Sequence, residues 1–179
     1  FKQKTAYELR LSLVGSVMCI RDRDLTSLRG DNKIAITAAP ELGYQMITFN
    51  VDNGPKSKTP LGQDARLREA FNAAIDRKVI AKVVFNDDFI PGNQFISPKN
   101  FFFDPAFPVP PRDLARAKAL MKEAGHPTYS FTLITANDPD WIQAAQIIQS
   151  MVAEAGFDMK IEVQENATRS KRQQDGDFE

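Results

Sequence analysis

Apolar and polar positions alternate in two short runs near the start of the chain, and each run predicts a strand. The runs are Lys33 to Thr37 (KIAIT) and Tyr44 to Val51 (YQMITFNV), and both have the period of two that is typical of half-buried strands. Residues 52–62 (DNGPKSKTPLG) lose any apolar period, and their Gly, Pro, Asn and Ser predict a loop.

The segment after this loop predicts two short helices that are separated at Asp76. Apolar residues recur at helical spacing in the first helix, Arg66 to Ile75, and Asp64 precedes it as N-cap. These apolar residues are Leu67, Ala70, Phe71, Ala74 and Ile75. Asp76 then caps a second helix, Arg77 to Phe85. A catalytic role for Asp76 has little support, because no His or partner carboxylate lies nearby in the sequence to share acid–base work.

A third helix is predicted over Leu114 to Ala124, with Asp113 as its N-cap and a stop at Gly125 and Pro127. Leu114, Ala117, Leu120, Met121 and Ala124 form its apolar face. His126, the single His of the sequence, follows this helix. We interpret His126 as a capping residue and expect no metal site there, because no other His or Cys and no carboxylate cluster lies near it.

A strand, a helix and a second strand follow over Phe131 to Ala136, Asp140 to Gly156 and Met159 to Gln164. Such a unit predicts two parallel strands joined by a right-handed crossover, and ligands of parallel sheets lie beyond the carboxyl ends of the strands. The loop at that position offers Asn137 and Asp138 for polar contacts and Trp141 as an apolar wall. The alternative is purely structural: Asp138 or Asp140 caps the helix, Pro139 begins it, and Trp141 packs under the loop.

The composition excludes several kinds of partner and chemistry. Lys and Arg number 23 and Asp and Glu also number 23, so no basic surface for nucleic acid or for an anionic membrane is expected. The sequence has no nucleophile elbow, phosphate-binding glycine loop or metal-ligand cluster, so no catalytic residue and no cofactor is predicted. A small hydrolase and a stand-alone interaction domain that uses Phe101-Phe102-Phe103 remain the alternatives, although we favour packing of these rings on the core or the domain surface.

Several consecutive segments resemble one protein family in the order in which they occur. RLREAFNAAIDRKVIAKVVFND, the loop PGNQFISP, RDLARAKALMKEAGHP, and then FTLITAN, DPDWIQAAQIIQSMVAEAGF and DMKIEVQE are similar to the extracytoplasmic solute-binding proteins of peptide/nickel ABC importers. The resemblance implies an α/β (mixed α+β) fold: most of the C-terminal lobe of a bilobal type II periplasmic-binding-protein fold, truncated at both ends. Residues 24–46 are then a remnant of the first lobe with the strand that crosses between lobes, and residues 47–179 are an incomplete second lobe.

The resemblance also implies a function and partners. It implies a monomeric periplasmic protein that holds a small-molecule or peptide solute between two closing lobes and delivers it to an inner-membrane ABC permease. It places Asn166 and Gln173 at ligand-facing positions where relatives carry aromatic, acidic or basic residues, and it makes Asn93 and Gln94 of the loop further candidates. Simple solvent exposure is the alternative for Asn166 and Gln173.

Residues 1–23 are expected to be foreign to the domain. QKTAYE and SLVGSVMCIRDR resemble translated sequencing-adapter read-through, with a decayed secretory leader or a native amphipathic helix as alternatives. Setting this segment aside removes Cys19, the single Cys, and leaves a slight excess of acidic residues. A chain without Cys suits an oxidising compartment such as the periplasm.

Overall fold

The computed structural model describes residues 43–179 together with Lys33 and Ala35. The segment 1–23 and most of the predicted strand 33–37 lie outside the described residues. All the elements that follow belong to the second of two units, residues 39–179. They are, in chain order, a 3₁₀ turn (Pro55–Lys58), α1 (Pro60–Gln63), α2 (Ala65–Ala74), α3 (Arg77–Phe85), α4 (Leu114–Glu123), β1 (Tyr129–Ala136), α5 (Pro139–Ala153), β2 (Phe157–Gln164) and α6 (Asn166–Gln174).

The predictions for residues 44–62 need correction. Tyr44 to Val51 was predicted as a strand, but it pairs with no other strand among the described residues. The alternation was nevertheless meaningful, because Ile47 and Phe49 are partly buried against the core. An alternating pattern indicates which side chains are buried, whereas a β-strand also requires hydrogen bonds to the backbone of a neighbouring strand. The predicted loop 52–62 contains the 3₁₀ turn and all of α1 except Gln63, and its Leu61 is fully buried.

Helices α2 and α3 confirm the reading of the sequence around Asp76. Oδ1 of Asp76 accepts hydrogen bonds from the N–H groups of Lys78 and Val79 at 3.0 and 3.1 Å, so its carboxylate caps α3. Asp64 caps α2 in the same way through the Arg66 N–H at 2.8 Å. The five residues predicted for the inner face of the first helix are all buried. The break at Asp76 is therefore a cap between two helices.

Helix α4 is capped by Asp113 through the Arg116 N–H at 2.8 Å, as predicted. It ends at Glu123, and Gly125, two residues further on, has a φ of +78° in the left-handed region that favours glycine. The Gly125 and His126 N–H groups donate to carbonyls of the last turn of α4, which is the Schellman arrangement. His126 thus caps the helix with its backbone, while its ring packs edge-to-face on Tyr129.

Strands β1 and β2 are parallel over eight residues each and are joined by α5, which confirms the predicted strand–helix–strand unit. The register pairs Tyr129 with Phe157 at one end and Ala136 with Gln164 at the other. Helix α5 ends at Ala153, three residues earlier than predicted, and a turn through Gly156 leads into β2. A Cβ at Gly156, where φ is +111°, would lie 2.3 Å from the Pro127 carbonyl oxygen, so only glycine fits this turn.

The core lies between the sheet and helices α2, α4 and α5. Phe71 of α2 is at its centre and makes edge-to-face contacts with Phe49, Phe131 and Phe157 at ring-centroid distances of 5.3 to 5.8 Å. The surrounding buried side chains include Leu61, Leu67, Leu120, Met121, Val152 and Met159.

The loop between α3 and α4 corrects the expectation for the aromatic run. Phe101 and Phe102 are 93% and 78% exposed and contact each other edge-to-face, so they do not pack on the core. The loop is organised instead by Gln94, whose amide bonds the backbone of Asp104 at both its nitrogen and its oxygen. This bonding fixes the loop backbone while the two rings point into solvent.

Candidate functional site

The candidate site lies at the carboxyl ends of β1 and β2, where the two strands end side by side. The Asn137 N–H donates to the Gln164 carbonyl at 3.0 Å and extends the ladder by one residue. The Asn137 side-chain Nδ2 then donates to Oε1 of Glu165 at 2.8 Å. The loops that follow the two strands are therefore joined by a side-chain hydrogen bond at this edge. Asn137 contributes one of its two amide protons to this bond, and its side-chain oxygen accepts no hydrogen bond from residues 43–179 and can act as an acceptor.

Asp138 and Trp141 follow in the same loop. Oδ1 of Asp138 accepts from the Asp140 N–H at 3.0 Å, and Pro139 is the first residue of α5. The capping role that was considered for Asp138 is thus present in the structure. Trp141 is 36% exposed, so part of its indole ring faces solvent beside the loop. An amphipathic ring in this position can offer an apolar surface to a ligand.

Asn166 and Gln173 lie on α6, which begins directly after β2. Asn166 is the first residue of the helix and Gln173 is in its last turn, and both are exposed. The Gln173 carbonyl accepts a hydrogen bond from Nδ2 of Asn53 at 3.0 Å, and its side chain is left to solvent. The structure therefore brings Asn166 close in sequence and space to the Asn137–Glu165 bond, and it places Gln173 two turns further along the helix.

Asn93 and Gln94 lie in the loop between α3 and α4. Nδ2 of Asn93 donates to the Pro108 carbonyl at 2.9 Å, and Gln94 bonds Asp104 and the Phe107 carbonyl. In this arrangement both amides organise their own loop. Their role in ligand binding stays a prediction, as it does for the other candidate residues.

Helix α6 is fixed at its C-terminal end by two Asn residues that the sequence analysis did not single out. Asn50 is 2% exposed, and its Nδ2 donates to the carbonyls of Asn53, Gly176 and Phe178 at 2.8, 3.2 and 2.8 Å. Its Oδ1 accepts from the Asn53 N–H at 2.9 Å. We call this set of bonds the Asn50 clasp. The sequence did contain a signal for Asn50, because this residue lies in the alternating run Tyr44 to Val51. A polar side chain that is buried in such a run must find hydrogen-bond partners.

Charges around the clasp are paired. Arg172 of α6 contacts Glu162 and Asp177 at 2.7 and 2.8 Å, and Nζ of Lys56 lies 2.7 Å from Asp177. The hydrogen bond from Lys56 holds the pKa of Asp177 below its usual value of 3.8. The paired charges tie α6 to β2 and to the segment before α1.

The described part of the chain offers no metal site and no membrane-spanning helix. Among these residues, no group of three or more His, Cys, Asp or Glu side chains is placed to hold a metal ion. No helix within this part is long and apolar enough to cross a membrane.

A parallel strand–helix–strand unit with polar loops at its carboxyl edge is typical of α/β domains, and similarity to solved structures identifies the fold. The chain is similar to the periplasmic binding protein DppA from Helicobacter pylori, which was solved with the peptide STSA, with 30% identity and a TM-score of 0.56. The similarity covers 60% of this chain and 21% of that one. The fold is accordingly that of the bilobal type II periplasmic binding proteins, of which this chain contains a part.

The family follows from a match over nearly the whole sequence. Residues 5–179 match the model of the bacterial extracellular solute-binding proteins, family 5, middle part, and the chain belongs to this family. It is 27% identical over 145 residues to the glutathione-binding protein GsiB of Salmonella choleraesuis, and 25% identical over 161 residues to heme-binding protein A of Haemophilus influenzae. These alignments cover 80% and 87% of this chain but only 27% and 28% of the relatives. The family match begins inside residues 1–23, so the foreign origin of that segment stays a prediction.

Proposed function

We propose that the protein binds a peptide or peptide-like solute outside the cytoplasm and delivers it to an ABC permease in the inner membrane. The observation that carries this proposal is the family match, together with a polar and aromatic rim at the carboxyl edge of the sheet. One relative is named for glutathione and one solved structure contains a peptide, which supports a peptide-like solute. The heme-binding relative shows that members of the family differ in their solute.

The proposed mechanism is closure of two lobes on the solute. Residues 47–179 are the second lobe in this proposal, and residues 24–46 include the connection from the first. The chain spans about a quarter of the length of its curated relatives, namely 27% of the glutathione-binding protein. Contacts made only in the closed state would stabilise closure, because a ligand shifts a conformational equilibrium by its differential affinity for the two states. The protein acts as a monomer without a cofactor or catalytic step.

Asn137, Asn166 and Trp141 are the solute contacts that this proposal favours on the second lobe. The amide of Asn137 is already oriented by Glu165, and the partly exposed Trp141 lies in the first turn of α5. Preorganised polar groups beside an apolar surface are the usual composition of a small-molecule site. Gln173, Asp138, Asn93 and Gln94 are secondary candidates.

Titration calorimetry tests the proposal with three probes: glutathione, the peptide Ser-Thr-Ser-Ala and heme. The whole protein that carries this sequence is expected to bind at least one of the two peptides saturably at a ratio of one to one. Trp141 is the single Trp of this sequence, so intrinsic fluorescence of the wild type and of Trp141→Phe reports whether the solute reaches the predicted edge. Saturable binding with identical fluorescence responses in both proteins would show that the solute does not bind next to Trp141. Absence of binding to either peptide would overturn the peptide assignment.

A further inference from the structure

A groove with a volume of about 480 Å³ lies near the amino-terminal ends of the two strands. It is lined by Lys118 and Lys122 of α4, by Pro127, and by the turn 153–156 between α5 and β2. Pro127 and Gly156 lie just before β1 and β2, so the groove is at the opposite end of the strands from the predicted solute edge. A solute at that edge would leave the groove free.

The two lysines of the groove have no partner in the described part of the chain. Both are exposed, and within residues 43–179 neither side chain makes a hydrogen bond or an ion pair. They are four residues apart on α4, and two like charges at this spacing destabilise a helix. Lys122 lies in the last turn, where a cation favours the helix dipole, but this effect does not explain Lys118. No Asp or Glu lies three or four residues from either lysine.

The polar groups near the lysines already have other partners. The carboxylate of Glu154 pairs with Arg112 at 2.9 Å. Carbonyls in the last turn of α5 accept hydrogen bonds from the N–H groups of Ala155 and Gly156 at 3.0 and 3.1 Å. The other lining side chains are apolar and belong to Pro127, Ala153 and Ala155. The groove therefore combines two uncompensated cations with an apolar surface.

The shape of the groove favours an extended peptide segment as its occupant. Five of its seven lining residues are exposed, so the groove is open, whereas a small-molecule site buries most of its ligand. Side chains two residues apart on an extended chain point to the same side and are separated by about 6.5 Å. This separation is close to the about 5 to 6 Å between the Cβ atoms of residues four apart on a helix. Two acidic residues at positions i and i+2 therefore match Lys118 and Lys122.

We propose that this groove binds an extended acidic segment of a partner protein, whose two carboxylates pair with Lys118 and Lys122. The residue between the two carboxylates points away from α4, and an apolar side chain there packs on Pro127 and Ala155. The surface is separate from the predicted solute site, so the protein can hold its solute and this partner at the same time. The ion pairs are exposed, and the interaction weakens as the salt concentration rises.

Fluorescence anisotropy with the whole protein tests the proposal. The probe is the peptide Ala-Glu-Leu-Glu-Ala with fluorescein at its N-terminus and an amide at its C-terminus, so neither end can imitate a free peptide solute. Ala-Gln-Leu-Gln-Ala removes the two carboxylates, and Ala-Glu-Gly-Glu-Ala removes the apolar side chain. Each probe is titrated with the wild type and with Lys118→Gln/Lys122→Gln, and circular dichroism verifies that each variant is folded.

Lys78→Gln/Lys82→Gln is the matched control. Lys78 and Lys82 are also exposed, are also four residues apart on one helix, and also make no side-chain hydrogen bond or ion pair within residues 43–179. They do not line this groove. The two double variants therefore remove the same charge and differ in whether the groove loses it.

The wild type is expected to bind the Glu-Leu-Glu probe about 10-fold more tightly than either altered probe. Lys118→Gln/Lys122→Gln is expected to lose the preference for Glu over Gln, and Lys78→Gln/Lys82→Gln is expected to stay within about twofold of the wild type. Equal losses in the two double variants would show a general attraction to surface cations and would overturn the proposal. No binding by the wild type would overturn it as well.

Two further measurements separate this groove from other sites. Trp141→Phe is expected to bind the probe as the wild type does, and a loss in this variant would place the probe at the predicted solute edge instead. Vesicles of phosphatidylcholine and phosphatidylglycerol test a membrane surface as the occupant. Vesicle binding that is lost in Lys118→Gln/Lys122→Gln, without binding of the probe, would assign the lysines to a membrane and overturn the protein partner.

Discussion

Replacing Asn50 with Ala removes the whole Asn50 clasp in one step. The change deletes three hydrogen bonds donated by Nδ2 and one accepted by Oδ1, and it leaves the carbonyls of Gly176 and Phe178 without this donor. Asn50 is 2% exposed, so water does not readily take the place of the lost amide. Two of the lost bonds join Asn50 to Gly176 and Phe178 in the segment that follows α6, and the other two join it to Asn53.

The magnitude follows from the number and length of these bonds. A hydrogen bond contributes about 1 kcal/mol net, and a buried group left unpaired costs about 1 to 3 kcal/mol. Two amide protons serve three acceptors, and the bond to Gly176, at 3.2 Å, is the longest, so the four bonds are worth less than four independent ones. We expect Asn50→Ala to lower the free energy of unfolding by about 3 kcal/mol, a large fraction of the about 5 to 15 kcal/mol of a typical domain.

Urea unfolding followed by circular dichroism measures this loss. With a slope of about 2 kcal/mol per molar urea, the midpoint is expected to fall by about 1.5 M. Asn100→Ala is the matched control, because Asn100 accepts one local hydrogen bond, from the Phe102 N–H at 2.9 Å, and its loss should cost no more than about 1 kcal/mol. Hydrogen exchange at residues 173–178 should accelerate in Asn50→Ala. Equal midpoints for the two variants, with unchanged exchange at 173–178, would refute the reasoning.

Three further predictions concern single residues. Gly156→Ala should lower the free energy of unfolding by more than about 3 kcal/mol, because the added Cβ would clash with the backbone of Pro127. Gly125→Ala should lower it by only about 1 kcal/mol, because φ is +78° there but no atom lies within 4 Å of the added Cβ. Similar melting temperatures for the two variants would contradict this prediction. Asp76→Ala should lower the free energy of unfolding, measured with urea, by about 1 kcal/mol. Asp76→Ser should lower it much less, because Ser is also a good N-cap residue. An equal loss in the two variants would argue against the capping role of Asp76. Asp177 has a folded-state pKa below 3.8 because Lys56 donates to it, so its contribution to stability is present above that value and is lost as the pH falls through the lowered pKa. Asp177→Asn should therefore reduce stability at neutral pH and flatten its decline below about pH 4, and parallel acid profiles for the two proteins would show that the pair does not matter.

Local sequence rules were sufficient to predict features that depend on one side chain and the few residues next to it in the chain. Asp64, Asp76 and Asp113 each cap the helix that they precede, because a capping carboxylate reaches only two or three residues along the chain. The parallel strand–helix–strand unit was also predictable, since its periods and connection length allow few topologies. The same rules placed Asn137 and Asp138 in the loop that follows β1.

Contacts between distant segments decided what the local rules missed. Tyr44 to Val51 has the alternation of a strand, but its backbone pairs with no strand in the described part of the chain. Residues 52–62 looked like a loop because their apolar content is low, yet Leu61 is fully buried in a core built from elements much later in the sequence. Phe101 and Phe102 were expected to pack, but the bonds of Gln94 hold their loop with both rings exposed.

The sequence by itself determined helices α2 to α5, the caps of α2, α3 and α4, the parallel unit and, by resemblance, the family. Only the tertiary structure decided which polar groups find partners: it joins Asn137 to Glu165, and it surrounds Asn50 with the carbonyl acceptors of Asn53, Gly176 and Phe178. The physical reason is that capping and periodicity are short-range effects, encoded within a few residues. The pairing of a buried amide or a surface charge depends instead on which distant segment the folded chain brings within about 3 Å.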